Sequence, residues 1–249
     1  MIDARAYLEH IEADGLRILE VSKGHLEDPV PSCPGNNVGS LLWHTAGVCL
    51  NWRTWLIANA MVDADWSAFG TDVWLGFKVE LQGLLTLLHA RDPDEPTWTW
   101  GNDQHVRFVH RRIAQELSIH RWDFEDAVGE ALPIDPTLAA DGVQEFLDEF
   151  SAAPPRPLSW RRDTYRSASE LFGGDGECLR FQCGDIDAAW TIIARSDRFD
   201  VVTDTDADIT TTGTASDINL FFWGRIDRSQ LETIGDLSLL ERWQERVKI

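Results

Sequence analysis

The chain has 249 residues, of which 43% are hydrophobic and twelve are tryptophan. This composition is typical of a globular protein with a large core, and it excludes a disordered, collagenous or coiled-coil chain. Acidic residues outnumber basic residues 42 to 22, and the net charge of -20 opposes binding to nucleic acid and to anionic membrane surfaces.

The apolar segments are too short for a membrane protein. No run of 18 apolar residues occurs, so the sequence predicts no membrane span, and the N-terminal residues lack the apolar stretch of a signal peptide. We therefore expect a cytoplasmic protein. In that reducing compartment the four cysteines are expected to be free thiols that pack in the interior: Cys33, Cys49, Cys178 and Cys183.

The first half of the sequence has the apolar periodicity of helices. Gly129 marks the end of the last long helical stretch, as expected of a residue that favours helix termination. Four long helices with short or medium connections indicate a bundle. These predicted helices cover residues 4–22, 38–61, 72–90 and 103–128.

A proline cluster marks the predicted domain boundary. A fifth helix, over residues 136–150, leads into Pro154, Pro155 and Pro157. Because prolines and exposed linkers commonly separate domains, the cluster predicts one domain over residues 1–153 and another over residues 158–249.

The second half changes to short segments with the residue types of β-strands. Helices are predicted to follow them, over residues 216–224 and 236–247, so this half is predicted to be an α+β domain. The four predicted strands have the sequences ECLRFQC, AAWTIIAR, FDVVTD and ADITTTGTA.

A Glu and a His at helical spacing indicate a metal site. Glu116 and His120 are four residues apart, so both side chains point to the same side of a helix, among apolar neighbours. Burial of such groups is costly unless they are paired, and a bound cation would pair them. His44, on the second predicted helix, supplies a third ligand for a divalent transition ion, and three protein ligands leave positions open for substrate.

Other interpretations of these histidines stay open at this point. A Glu–His pair at this spacing is also typical of a surface ion pair or of a core histidine with satisfied hydrogen bonds. His105 and His110 are rival ligands, eleven and six residues before Glu116.

Several other polar and aromatic residues of the first half are interpreted mainly as structural. Asp123 is interpreted as a partner of Arg121 or of water, with support of a metal-bound histidine as the alternative. Glu125 and Asp126 are interpreted as part of a solvated helix face. Three tryptophans are predicted to pack inside the bundle: Trp43, Trp52 and Trp55.

Three segments of the first half resemble the mycothiol-dependent maleylpyruvate isomerase family: VPSCPG at 30–35, LLWH at 41–44 and ELSIHRWD at 116–123. Two later segments are similar to the smaller C-terminal domain of that family: GTASDINLFFWGR at 213–225 and GDLSLLER at 235–242. The resemblance implies a DinB-like four-helix bundle followed by a smaller, sterol-carrier-like α+β domain.

The resemblance also implies a site and its ligands. It assigns a zinc ion, or another divalent metal, to His44, Glu116 and His120, and mycothiol as the thiol cosubstrate. Arg225 is the implied catalytic cation, because a guanidinium suits a carboxylate or an enolate oxygen; an arginine that merely ends a helix is the alternative. One departure concerns Asn36, which follows Cys-Pro-Gly where the family commonly has Trp.

Two classes of function follow from these assignments. The first is a thiol-dependent enzyme that acts on a small electrophile, either by cis–trans isomerisation of maleylpyruvate or by mycothiol S-transfer. The second is a non-catalytic protein that binds a metal or a small ligand on the same fold.

Overall fold

The computed structural model of the chain divides into two compact units, one ending at Leu132 and the other beginning at Pro133. The first unit is helical and the second combines helices with a mixed sheet, which is the predicted fold class. The structure describes residues 2–69, 72–152, 166–203 and 205–248.

Four long helices form the described part of the first unit, and all four were predicted. They are α1 (Ala4–Val21), α2 (Val38–Ala58), α3 (Val73–Ala90) and α4 (Val106–Val128), with a 3-10 helix at Trp66–Phe69. In this bundle α1 packs mainly against α4, and α2 mainly against α3. Helix α4 begins later than predicted, because the Gln104 amide donates to the Thr99 and Gly101 carbonyls and folds the preceding residues into a turn.

Short polar side chains begin three of these helices. The Asp3 carboxylate accepts from the Ala6 N–H, and the Asp72 carboxylate accepts from the Leu75 N–H. At the start of α2, Asn37 and Ser40 each accept from the other's backbone N–H, which forms a capping box. These caps satisfy N–H groups that have no partner inside the helix.

Glu125 ties α1 to α4 instead of facing solvent. Its side chain is 1% exposed, and its carboxylate accepts from Arg17 Nε at 2.9 Å and from the Leu132 N–H at 3.0 Å. Arg121 also contributes an ion pair to it. The prediction of a solvated face is therefore wrong for Glu125, because the packing of α1 on α4 covers this position.

Asp14, beside this ion-pair network, gives a prediction for the pH dependence of stability. Burial raises the pKa of Asp14 to about 6, against the opposing charge of Arg121. The protonated Asp14 carboxyl makes its full contribution to the free energy of unfolding below the unfolded pKa near 3.8. This contribution is lost as pH rises through about 6. Relative to Asp14→Asn, the wild type should therefore lose up to about 3 kcal/mol of unfolding free energy between pH 4 and pH 7.

Urea unfolding of the wild type and of Asp14→Asn, followed by helical circular dichroism between pH 4 and pH 7, measures the difference in unfolding free energy. Asp65→Asn is a suitable control, because hydrogen bonds from Ser67 lower the pKa of Asp65 and reverse the expected trend. A wild-type minus Asp14→Asn difference that stays constant with pH would contradict the prediction.

The described residues of the second unit form helices and one five-stranded sheet. The elements are α5 (Pro136–Glu149), α6 (Ala168–Phe172), β1 (Cys178–Cys183), β2 (Ala189–Ala194), β3 (Phe199–Val202), β4 (Ile209–Gly213), α7 (Ala215–Phe222), β5 (Glu232–Gly235) and α8 (Ser238–Arg246). The strand order in the sheet is β3-β2-β1-β4-β5. Strands β1 and β4 are parallel, and the other neighbours are antiparallel. The four predicted strands are present, whereas β5 and the short helix α6 were not predicted.

Helix α5 belongs to the second unit, so the domain boundary lies earlier than the proline cluster predicts. The Phe146 ring on α5 contacts the rings of Phe222 and Trp223, each with centroids 5.2 Å apart. The apolar face of α5 is thus buried against α7, and the boundary falls between Leu132 and Pro133. The predicted boundary residues 153–158 lie outside the described residues.

Trp243 of α8 is the centre of an aromatic core on one face of this sheet. Its ring stacks on Phe199 with centroids 5.4 Å apart and contacts Phe222 at 4.8 Å.

No helix in the described part of the chain has both the length and the hydrophobicity needed to cross a bilayer.

Candidate metal centre

The structure brings His44, Glu116 and His120 together in the first unit, with one potential ligand atom from each side chain within 4.8 Å of the others. Glu116 Oε1 lies 3.1 Å from His44 Nε2 and 3.3 Å from His120 Nε2. The α4 spacing places Glu116 and His120 one turn apart, and α2 contributes His44 from the facing side.

Opposing effects set the charge of Glu116 and His120. Burial acts to raise the pKa of Glu116, but hydrogen bonds with His120 and His44 and the nearby Arg112 hold this pKa well below its usual range. Burial acts to lower the pKa of His120, yet hydrogen bonds to Asp123 and Glu116 raise it to about 9. These contacts favour an ionised Glu116 carboxylate and a protonated His120 imidazole beside it.

The remaining oxygen of Glu116 has its own partner. Arg112 Nη2 donates to Glu116 Oε2 at 3.0 Å, which holds the carboxylate so that Oε1 faces the two imidazoles. Sequence reasoning missed Arg112, although its position four residues before Glu116 on the same helix could have indicated the pair.

Among the described residues, Asp123 lies beside His120 and Ser32, whereas Arg121 lies beside two other carboxylates. Asp123 Oδ2 lies 2.9 Å from His120 Nδ1, and Asp123 Oδ1 accepts from the Ser32 hydroxyl at 2.7 Å. Arg121 instead pairs with Asp14 and Glu125, so the alternative interpretation of Asp123 is the one that fits the structure. Cys33 Sγ lies 3.4 Å from Asp123 Oδ2, so this thiol is not simply a core packing group.

The cluster is open on the α2 side. The His44 side chain is 51% exposed, whereas His120 is 10% exposed. Trp43, the residue before His44, is 48% exposed, and its ring lies 4.3 Å from that of Trp66. The predicted packing inside the bundle therefore fails for Trp43, since its position on α2 faces away from the core.

Trp52 and Trp55 are buried as predicted and are in ring contact, with centroids 5.2 Å apart.

Trp66 packs against Gly47, where a Cβ atom would approach its ring to 2.3 Å. Only glycine leaves room for this tryptophan, and the open side of the cluster is thus bordered by aromatic rings.

The rival histidines lie apart from this cluster. His105 precedes the first turn of α4 and its Nδ1 lies 2.6 Å from Asp103 Oδ1. His110 is buried, with its Nδ1 3.1 Å from the Val106 carbonyl oxygen. Neither histidine is part of the three-residue group.

Arg225 lies in the second unit, directly after α7. Gly224 before it has a φ of 68°, in the left-handed region that favours glycine. Arg225 Nη1 donates to the Trp223 carbonyl at 2.7 Å, and the Arg225 backbone N–H donates to the Leu220 carbonyl at 2.8 Å. The turn after α7 thus holds both the backbone and one guanidinium nitrogen of Arg225.

Together, the fold and the cluster define a helical bundle carrying a two-histidine, one-carboxylate group, joined to an α+β unit. Residues 137–242 match the family model described as the MDMPI C-terminal domain. The second half of the chain therefore carries an MDMPI C-terminal domain, as the resemblance of the sequence implied. No curated protein matches the chain.

Two solved structures have the same overall fold. The mycothiol-dependent maleylpyruvate isomerase matches 93% of this chain and 93% of its own, with a TM-score of 0.63 and 11% identity. A mutant of a mycothiol-dependent maleylpyruvate isomerase matches with the same coverage and TM-score and 10% identity. A ubiquinone synthesis protein, UbiJ-SCP2, covers 44% of this chain and 92% of its own at 20% identity, with a TM-score of only 0.30.

Proposed function

We propose that the protein is a metal-dependent enzyme that activates a low-molecular-weight thiol, mycothiol, for attack on a small electrophile. The observation that carries this proposal is the convergence of His44, Glu116 and His120 in a chain that has the fold of a mycothiol-dependent isomerase. The proposed reaction is cis–trans isomerisation of maleylpyruvate or S-transfer of mycothiol.

The donor set suits zinc. Two imidazole nitrogens and one carboxylate oxygen are ligands that zinc accepts, and three protein ligands leave a position for a fourth. Bound there, zinc would lower the pKa of a thiol and supply thiolate at neutral pH. The half-exposed position of His44 supports access of a thiol from solvent.

The protein side chains would prepare the site in two ways. Arg112 holds Glu116 so that one oxygen faces both imidazoles, which reduces the rearrangement needed when a cation binds. Loss of the proton on His120 Nε2 must accompany binding, because a ligand nitrogen needs its lone pair. Glu116 stays ionised throughout, because the pKa of its carboxyl group lies well below neutral pH.

Arg225 is the proposed partner of the electrophile. In the isomerisation, the thiolate sulfur forms a bond to one carbon of the conjugated double bond, and the electron pair moves to the conjugated carbonyl oxygen. Rotation about the resulting single bond and departure of the thiolate then restore the double bond in the trans form. The Arg225 guanidinium would bind the substrate carboxylate or the enolate oxygen, whose charge it offsets.

Incubation of the zinc-loaded protein with mycothiol and a panel of electrophiles that includes maleylpyruvate tests the function. Mass spectrometry and nuclear magnetic resonance of the products distinguish a rearranged substrate from a mycothiol adduct. We expect conversion that requires both the thiol and the metal. Binding of metal and thiol without conversion of any electrophile would support the non-catalytic alternative.

A further inference from the structure

We propose that Asp123 is a positioning residue for the metal centre, and that Ser32 and Cys33 hold it in place from the loop before α2. This inference rests on the proposed metal site and adds three residues to it that are not ligands. It assigns that loop, residues 29–37, a part in setting the geometry of His120.

Asp123 is a fully buried carboxylate with donors on both oxygens. Oδ1 accepts from the Ser32 hydroxyl at 2.7 Å, and Oδ2 lies 2.9 Å from His120 Nδ1 and 3.4 Å from Cys33 Sγ. A buried carboxylate is costly unless donors satisfy it, and these donors come from two distant parts of the chain. The Asp123 side chain is therefore fixed between the loop and His120.

The contact decides which nitrogen of His120 can serve as a ligand. Because Asp123 Oδ2 is an acceptor, Nδ1 carries a proton, and Nε2 is the nitrogen that lies 3.3 Å from Glu116 Oε1. Without an acceptor beside Nδ1, the ring could adopt the other tautomer or rotate about its Cβ–Cγ bond. A carboxylate behind a ligating histidine is a common device for fixing tautomer and ring orientation.

Backbone hydrogen bonds make the loop a firm support. The Val30 N–H donates to the Asn36 carbonyl at 3.1 Å, and the Val38 N–H donates to the Asp28 carbonyl at 2.9 Å. The same loop ends at Asn37, the capping residue of α2. It therefore joins the start of the helix that carries His44 to the carboxylate that orients His120, and links both ligand-bearing helices.

Zinc affinity, measured by competition with a chromophoric chelator, tests the positioning role. We expect Asp123→Ala to bind zinc roughly 10- to 100-fold more weakly than the wild type, the range found for loss of a carboxylate behind a metal ligand. Asp123→Asn should recover part of this loss, because its amide oxygen can still accept from Nδ1. Its amide N–H₂ cannot accept from the Ser32 hydroxyl.

Asp103→Ala is the matched control. The Asp103 carboxylate lies 2.6 Å from His105 Nδ1, so it also lies beside a histidine ring, but His105 is not part of the three-residue group. Its removal should leave zinc affinity unchanged. The visible absorption spectrum of the cobalt-substituted protein adds a readout of ligand geometry, which should change in Asp123→Ala and stay the same in Asp103→Ala.

The double variant Ser32→Ala, Cys33→Ala tests the loop while Asp123 is kept, and it applies equally if Asp123→Ala does not fold. We expect a smaller loss of affinity than in Asp123→Ala, with an altered cobalt spectrum. Wild-type affinity and an unchanged spectrum in every folded Asp123 and loop variant would overturn this inference alone. Failure of the wild type to bind any divalent metal would overturn the proposed function and this inference together.

Discussion

His120→Ala is expected to abolish tight metal binding and, with it, turnover. His120 is one of the three proposed ligands, and the two that remain are too few to retain a divalent ion against a chelator. The loss of affinity should exceed the roughly 10- to 100-fold effect that removal of a supporting carboxylate produces. Metal content of the purified variant, measured by inductively coupled plasma mass spectrometry, checks the result.

His89→Ala is the matched control, because His89 is an exposed histidine in the last turn of α3. It should keep the metal content and turnover of the wild type. Full metal occupancy in the double variant His44→Ala, His120→Ala would contradict the ligand assignment, whatever its activity.

Arg225→Ala is expected to lower turnover by roughly 100-fold or more, the scale seen when one charge-stabilising donor is removed. Metal content should stay the same, because Arg225 is not among the three ligands. Arg225→Lys should recover only part of the rate, since an ammonium group lacks the planar pair of donors that a guanidinium offers a carboxylate. Turnover, metal content and melting temperature should be measured on the same samples.

Arg228→Ala is the control for a structural effect in this segment. Arg228 lies three residues further on and pairs with Glu241 at 2.8 Å, so its loss should affect stability more than turnover. A wild-type rate per folded molecule in Arg225→Ala would end the catalytic assignment. In that case the contacts of Arg225 within its own turn would account for its presence.

The parts of the site that a helix repeat controls could be predicted from sequence. Residues four apart on one helix share a face, so the spacing of Glu116 and His120 predicted that their side chains lie close together. His44 was predicted from its apolar neighbours on the second helix, and the structure places it beside Glu116 although its side chain is half-exposed. The resemblance to a known family then implied zinc, or another divalent metal, as the ion.

Contacts between distant residues could not be predicted in this way. Ser32 and Cys33 meet Asp123 across about 90 residues of chain, and no local pattern encodes that approach. Glu125 was predicted to be a surface acid because its burial depends on the packing of α1 against α4, which its local sequence does not indicate. Similarly, α5 precedes the proline cluster in sequence, but its Phe146 side chain packs against α7. This packing places α5 in the second unit, so the domain boundary lies before α5.

Short elements were missed for a related reason. Helix α6 has five residues and strand β5 has four, too few for an apolar period to emerge. Strand β5 exists because β4 offers it hydrogen-bonding partners, with Thr211 opposite Thr233 in the ladder. Its formation depends on a neighbour rather than on its own residues.

We propose that His44, Glu116 and His120 hold a metal with a position open to a thiol. The most direct test is the near-ultraviolet absorption of the cobalt-substituted protein during titration with mycothiol. We predict one cobalt per chain and a sulfur-to-cobalt charge-transfer band that saturates with thiol and is absent in His120→Ala. One cobalt per chain with no such band at any mycothiol concentration would contradict the claim that the thiol is activated at this centre.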